Sequence, residues 1–463
     1  VPQQREVVCG SWHQPNGVAR AVYAKVFKGK RAYHHFKRDL AGVRSLLKAG
    51  IPTPAILAED QIDGKKTEYV AIYSAIQNAK NIEEVWLYLA DDARFNLAKR
   101  LVQVLAQHHA AGLIQTDLYL KNFLLADDAI YSLDGDGVRH LSKLFRWRQQ
   151  LKNLATLFSK MDVLDGKWLH ELFSVYCQRL GFESSMTEVI RLQRLTSKIR
   201  HQVTTRYADK KVFRRCTDVS VVQDATYFLA FSTDFNVERS GLLSLDRFLL
   251  NTAFNIKNGR TCTIASAQIA GRLLVIKRYN IKNFWHGLNR AFRQSRAAIS
   301  WANAHRLIIS NIATPKPLAL VEERFGFLRG RAYYLSEYVD APDVLQFFAS
   351  TQSDDERRLV ASNIAKLFHK LYLLKFSHGD FKATNVKVLN FEPVLIDLDA
   401  LQAHFGQFFS DWRFERKHVM DIKRLMQNWR DDADAFMLLK NAFLTEYAGQ
   451  SPLVHILNRA GLH

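Results

Sequence analysis

Three polar residues occur twice along this 463-residue chain, in the same order and at the same separation. Asp117, Asn122 and Asp134 return as Asp380, Asn385 and Asp397, each 263 positions later (380 − 117, 385 − 122, 397 − 134). Upstream, GIPTP at Gly50 to Pro54 is echoed by NIATP at Asn311 to Pro315, offset by 261, and AVYAKVF around Lys25 by LLVIKRY around Lys277, offset by 252. A drift of that size is what loop insertions produce. One shared spacing would be chance, but an ordered set in two halves constrains the whole chain to two copies of one domain type. The expected division is residues 1–208 and 209–463.

Each half reads the same way at low resolution. β-rich runs come first (VVCGSW and AVYAKVF; TCTIASAQIA and LLVIKRY), with Asn16-Gly17 and Asn258-Gly259 as hairpin turns. A basic helical stretch ends at the Thr-Pro segment, and TEYVAIYSAI or RAYYLSEYV forms a further strand. Apolar residues at i, i+3, i+4 spacing then predict an amphipathic helix over RFNLAKRLVQVLAQHHAAG and over RRLVASNIAKLFHKLYLLK. The D-x4-N segment follows that helix, and short apolar strands deliver the last Asp. The expected fold is α+β: a small β-rich lobe followed by a larger helical lobe, twice.

Composition narrows the class. With 48% hydrophobic and 24% charged residues the chain is globular. No stretch is long and apolar enough to cross a bilayer, and the start VPQQREVVCGSW lacks the pattern of a signal peptide. Cys9, Cys177, Cys216 and Cys262 are scattered, which argues against disulfides or zinc and for a reducing cytoplasm. The balance of 65 Lys+Arg against 45 Asp+Glu gives a net charge of +20 and favours anionic partners. No specific nucleic-acid binding is expected, because no recognition motif accompanies the charge.

Phosphoryl transfer from a nucleotide is mostly positioning and charge neutralisation. It needs a strand lysine for the phosphates, a carboxylate for the acceptor hydroxyl proton, and an Asn and a second Asp for magnesium. Lys25, Asp117, Asn122 and Asp134 fill those roles in the first half; Lys277, Asp380, Asn385 and Asp397 fill them in the second. HGDFKATN followed by LIDLDA is similar to a protein-kinase-type catalytic loop and metal-binding segment. Taken with KRYN, SRAAISWANAHRL and TPKPLALVEERFG, the second half resembles the bacterial lipopolysaccharide core (heptose) kinase family, the WaaP/InaA-like group. The first half, with YAKVF, GIPTP, QTDLYLKN and SLDGDG, resembles it more loosely.

The resemblance implies two tandem protein-kinase-like domains, ATP and Mg2+, and phosphorylation of a heptose-type core sugar at the cytoplasmic face of the inner membrane. It implies Asp380, Asp117 and Lys382 as catalytic residues, and Lys277, Lys25, Asp39, Gly259, Glu337 and Val339 around the nucleotide. Expected partners are lipopolysaccharide core, or another anionic glycolipid, and the anionic inner-membrane surface, with the protein cytoplasmic and peripheral to that membrane. The alternatives are a pseudokinase scaffold that binds nucleotide or a partner without catalysis, and a protein kinase.

Several departures bear on that choice. Gln115 stands in the slot of His378, and Tyr119 in that of Lys382. Asp39, one methylene shorter than the usual Glu, is the only helix acid available to Lys25. Only 24 residues precede Lys25, so either the chain, which begins at Val1, is trimmed or that lobe is reduced. Between Lys277 and Glu322 there is no Asp or Glu, which leaves Lys277 without a helix carboxylate. The basic run from Lys277 to Lys316 is either a solvated helix face or a surface for anionic headgroups or phosphorylated glycans, with Trp285 and Trp301 expected in packing. His378, His108 and His109 are expected to support structure rather than to react.

Overall fold

Lys25 and Lys277 each lie on an interior strand of an antiparallel sheet, paired on both sides. A computed structural model describes residues 5–13, 19–64, 67–86, 88–250, 255–259, 261–280, 294–326, 328–350, 352–405 and 410–462. The turn expected at Asn16-Gly17, and Lys282, Trp285, Arg290 and Arg293 of the basic run, lie outside those residues. The chain divides into two units, Val1–Arg200 and His201–His463.

In the first unit β1 (Arg5–His13) pairs antiparallel with β2 (Ala19–Phe27), which carries Lys25. The helix α1 (Ala32–Lys48) follows, then β3 (Ile56–Ile62) and β4 (Glu68–Ser74), in the sheet order β1-β2-β4-β3. α1 turns Phe36, Leu40 and Val43 inward at helical spacing, and they pack with Phe27, Ala71 and Tyr73 of the sheet. The helical part is built on α2 (Asp91–Ala110), α3 (Arg146–Phe158) and α4 (Leu169–Arg179) around Leu101, Leu154 and Phe173. A hairpin of β5 (Phe123–Ala126) and β6 (Ala129–Ser132) brings in Asp134. The division between the units falls within α5 (Met186–Ala208).

The second unit has a wider sheet. β7 (Val219–Gln223), β8 (Tyr227–Ser232), β9 (Asn255–Asn258), β10 (Cys262–Ile269) and β11 (Arg272–Tyr279) precede the helix α6 (Arg296–Ile309). β12 (Pro317–Phe325) and β13 (Leu328–Glu337) complete it in the order β7-β8-β12-β13-β11-β10-β9. The run β10-β11-β13-β12 repeats the order of the first unit, and the turn at Asn258-Gly259 joins β9 to β10. α7 (Asp354–Leu374) opens on a capping box at Ser353 and Glu356. It packs with α8 (Ser410–Met426), α9 (Ala433–Tyr447) and α10 (Ser451–Ala460) around Phe368, Ile422 and Phe443. The hairpin of β14 (Val386–Leu389) and β15 (Glu392–Leu395) delivers Asp397. Both units are thus α+β, β-rich first and helical after.

The repeated Thr-Pro segment has a physical reason. Thr53 Oγ1 donates to the Ser132 carbonyl at 2.8 Å, and Thr314 Oγ1 to the Leu395 carbonyl at 2.7 Å, in each case two residues before the last Asp of the motif. The Ser132 and Leu395 amides donate back to the Pro52 and Ala313 carbonyls. The segment pins the strand that carries the Asp.

Buried histidines set an acid limit. His108 and His109 are fully buried; His109 contacts Tyr176 and Asn153, and His108 contacts Ser132. Burial pushes His108 and His418 down to about 3 and His109 to about 4. The unfolded chain binds these protons near pH 6.5 and the folded chain does not, so stability is retained above that pH and lost as pH falls toward 4. Thermal melts should show the midpoint falling steadily from pH 7 to pH 4.5, and less steeply in His418→Gln.

Candidate active site

In the second unit the loop after α7 is gripped from below by α8. Asp421 accepts the His378 amide at 2.8 Å and the Gly379 amide at 3.1 Å, and Arg424 donates to the Gly379 carbonyl. Gly379 sits at φ +82°, and a Cβ there would lie 2.7 Å from the Ala400 carbonyl oxygen, so the turn requires glycine. The buried His378 imidazole donates through Nε2 to the Ile396 carbonyl at 3.1 Å, one residue before Asp397.

From that base the loop presents Asp380 at the surface, with Lys382 Nζ 3.1 Å from its Oδ2. The Asn385 amide donates to the Asp380 carbonyl at 2.9 Å, which leaves its Oδ1 as an acceptor, and the Asn385 carbonyl accepts from the Ile396 amide at 3.0 Å. Asp397 follows in the left-handed region, φ 59° and ψ 62°. Asp134 of the first unit adopts the same strained conformation, φ 63° and ψ 76°.

Lys277 reaches the loop from β11. It is only 8% exposed, bonds Asp397 and lies 3.4 Å from Asp399 Oδ2. Arg296, at the start of α6, holds the same Asp399 oxygen at 2.5 Å. The acid for Lys277 therefore comes from the D-x-D loop and not from the helix. Burial alone would raise the Asp397 carboxyl and lower Lys277; the opposite charges overcome it, so Asp397 is held below the carboxylate range and Lys277 above the lysine range.

The first unit solves the lysine problem differently. Lys25 Nζ lies 3.0 Å from Asp39 Oδ1 and 3.6 Å from Asp134 Oδ1. Asp39 is fully buried on α1 and also accepts from Tyr73 OH at 2.5 Å and the Asp136 amide at 3.0 Å. The short acid reaches because α1 lies unusually close: a Cβ on Gly42 would sit 2.0 Å from the Gly135 carbonyl oxygen. Arg5 bridges Asp134 and Asp136, each at 2.8 Å. A cavity of about 380 Å³ opens beside these groups, lined by Lys25, Asn122, Asp134, Tyr73 and Leu124. Asn122 donates to the Asp117 carbonyl at 2.9 Å, the bond Asn385 makes to Asp380. Burial, with the Asp134 charge, raises the Asp117 carboxyl.

Two apparent departures are chemically small. Gln115 Nε2 donates to the Leu133 carbonyl at 2.9 Å, and Leu133 precedes Asp134 as Ile396 precedes Asp397, so the amide makes the bond of the His378 imidazole. Tyr119 carries no charge, but Lys160 Nζ sits 3.8 Å from the centre of its ring, and its charge acts on Asp117. Lys160 restores a cation there from a distant part of the chain.

Other expected residues are placed less centrally. The Gly259 amide closes its turn on the Cys262 carbonyl at 3.0 Å. Glu337 ends β13 with its carboxylate 3.4 Å from Arg272, and Val339 lies just beyond. The described cations of the basic run are engaged: Arg278 with Asp246, Arg296 with Asp399, Arg306 with Asp209 and Lys316 with Asp234. The expectation that this run offers its charge to anionic headgroups is corrected for these residues, because carboxylates elsewhere in the unit neutralise them. Trp301 is fully buried, with its indole nitrogen donating to the Val212 carbonyl. Motif reading missed Asp421, Asp399, Arg5 and Lys160, and took Arg296 only as one cation of the basic run; of the four, only Asp399 left a sequence signal, since Asp136 and Asp399 share the 263 offset (399 − 136).

A strand lysine tied to a D-x-D loop, beside an Asp and an Asn on a pinned loop, defines a phosphotransferase of the kinase-like α+β class. The chain belongs to the lipopolysaccharide kinase (Kdo/WaaP) family: the family model matches residues 16–198 and 251–435, and it makes the protein a kinase acting on lipopolysaccharide sugars. The chain is similar to a 3-deoxy-D-manno-octulosonic acid kinase of Mannheimia succiniciproducens, 23% identical over 192 residues, covering 37% of this chain and 79% of that protein. Among solved structures it is similar to WaaP in complex with acyl carrier protein, at 14% identity and TM-score 0.28, over 45% of this chain and 81% of that one.

Gly42→Ala should push α1 off the D-x-D loop, destabilising the protein by about 1–3 kcal/mol. Denaturant melts of the parent and the variant measure that difference directly.

Proposed function

We propose that the chain is two tandem kinase domains, residues 1–208 and 209–463, of which the second transfers the γ-phosphate of ATP to a hydroxyl of a lipopolysaccharide core sugar. The observation that carries this reading is the convergence of Lys277, Asp397 and the Asp380–Lys382 pair from three parts of the second unit. Asp380 accepts the proton of the attacking hydroxyl at its carboxylate. In this reading Lys382 neutralises the moving phosphate, and Lys277 holds the phosphates once nucleotide competes for its carboxylates. Gly259, Glu337 and Val339 border the nucleotide in this reading.

Among the described residues no cluster of three or more His, Cys, Asp or Glu is placed to hold a metal. Mg2+ does not need one, since it keeps water and phosphate oxygens and takes one or two protein oxygens. Asn385 Oδ1 and Asp397 fit that demand, as do Asn122 and Asp134 in the first unit. The metal, when bound with nucleotide, supplies charge neutralisation at the phosphates.

The acceptor is an inner-core sugar of the heptose type or 3-deoxy-octulosonic acid, the second suggested by the name of the Mannheimia relative. Such an acceptor puts the protein at the cytoplasmic face of the inner membrane. In this reading attachment is peripheral; no described helix is long and apolar enough to cross a membrane.

For the first unit a non-catalytic, regulatory reading is favoured by one observation: Arg5 already fills the space between Asp134 and Asp136. With ATP, Mg2+ and either acceptor, Asp380→Asn should lose at least about a hundred-fold in kcat while nucleotide affinity changes little. Asp117→Asn alone should leave kcat within a few-fold. Loss in Asp117→Asn with full activity in Asp380→Asn would reverse the assignment, and full activity of the double variant would remove it.

A further inference from the structure

Among the described residues, three cations on α8, away from the acid-free run, are left unneutralised. Arg413, Arg416 and Lys417 form no ion pair with any described residue. The acids beside them are engaged elsewhere, Glu415 with Arg459 at 3.2 Å and Asp411 with Lys375 at 3.6 Å. Lys417 Nζ donates only to the neutral Gln402 Oε1, at 2.5 Å, and Arg416 lies over the Trp412 ring at 5.8 Å. Together with Met420 these residues line a cleft of about 430 Å³, within the range of small-ligand sites. Trp412 is 58% exposed, unusual for the largest aromatic side chain.

The position is as telling as the composition. Residues four apart lie on one face of a helix. Arg413, Lys417 and Asp421 form one such row, and Arg416, Met420 and Arg424 its neighbour. Both rows end on the residues that hold Gly379, immediately before Asp380. The cationic stripe therefore starts about one helical turn, roughly 5–6 Å of rise, from the catalytic loop.

We propose that this cleft binds an acidic saccharide joined to the acceptor sugar. Trp412 stacks on a ring face, and Arg413, Arg416 and Lys417 take its carboxylate or phosphate groups. The chemistry is that of a ligand with an apolar face and an anionic edge: an indole offers area, and guanidinium groups bind carboxylate or phosphate in a bidentate fork. A bare anionic bilayer would meet the cations and the indole as a surface and leave the cleft of about 430 Å³ unfilled, whereas a sugar ring fits inside it. The inference rests on the kinase reading only for the identity of the acceptor.

The test is calorimetric titration of the full chain, without nucleotide, with deacylated inner-core oligosaccharide. Parallel arms use the same oligosaccharide after dephosphorylation and after carboxyl reduction, and phosphatidylglycerol vesicles. Trp412→Ala and the triple variant R413Q/R416Q/K417Q should each weaken binding at least about ten-fold. The triple variant should also flatten the salt dependence of binding. The arm whose loss of charge abolishes binding identifies phosphate or carboxylate as the recognised group. Unchanged affinity in the triple variant, undiminished binding when both charges are removed, or vesicle binding as tight as the oligosaccharide would overturn the proposal. Binding that persists in protein showing no phosphoryl transfer would count against the kinase reading and for the cleft.

Discussion

A lysine ammonium withdrawn from water must find carboxylates, and in each unit of this chain the D-x-D loop supplies at least one of them. Lys25 and Lys277 sit on interior strands, where an unpaired charge would cost several kcal/mol. Their partners on that loop lie more than a hundred residues away in sequence, so the contact joins the sheet to the loop that follows the β-hairpin. That constraint explains why Thr53 and Thr314 brace the incoming strand and why Asp134 and Asp397 are held with positive φ.

The two units satisfy the same demand with different residues. In the first, the helix supplies Asp39, and a glycine pair lets α1 approach far enough for a short side chain. In the second, the helix supplies Arg296, which pairs with Asp399 and leaves that carboxylate shared with Lys277. A cation on the helix and an acid on the loop replace an acid on the helix. Arg5 ties β1 to both acids of the first D-x-D loop.

The legible part of the sequence was the part that repeats. The D-x4-N spacing, the final Asp, the strand lysines and the Thr-Pro echo all lie in elements whose geometry tolerates little change, so they keep register between halves. Residues that act by filling a role from elsewhere leave no such trace. Lys160 stands in for Lys382 from a helix end, Gln115 reproduces a histidine hydrogen bond with a different side chain, and Asp421 grips the loop from α8. Charge was misleading for the same reason: an acid-free run looks like an anion surface until the fold brings Asp246, Asp209, Asp399 and Asp234 to it.

Binding stoichiometry of a non-hydrolysable ATP analogue, titrated with and without Mg2+ into the parent protein, Lys25→Met and Lys277→Met, tests the shared lysine–carboxylate contact most directly. The account predicts Mg2+-dependent binding that Lys277→Met removes from the second unit while Lys25→Met leaves that unit's site intact. Equal, metal-independent binding in the parent and both variants would contradict it.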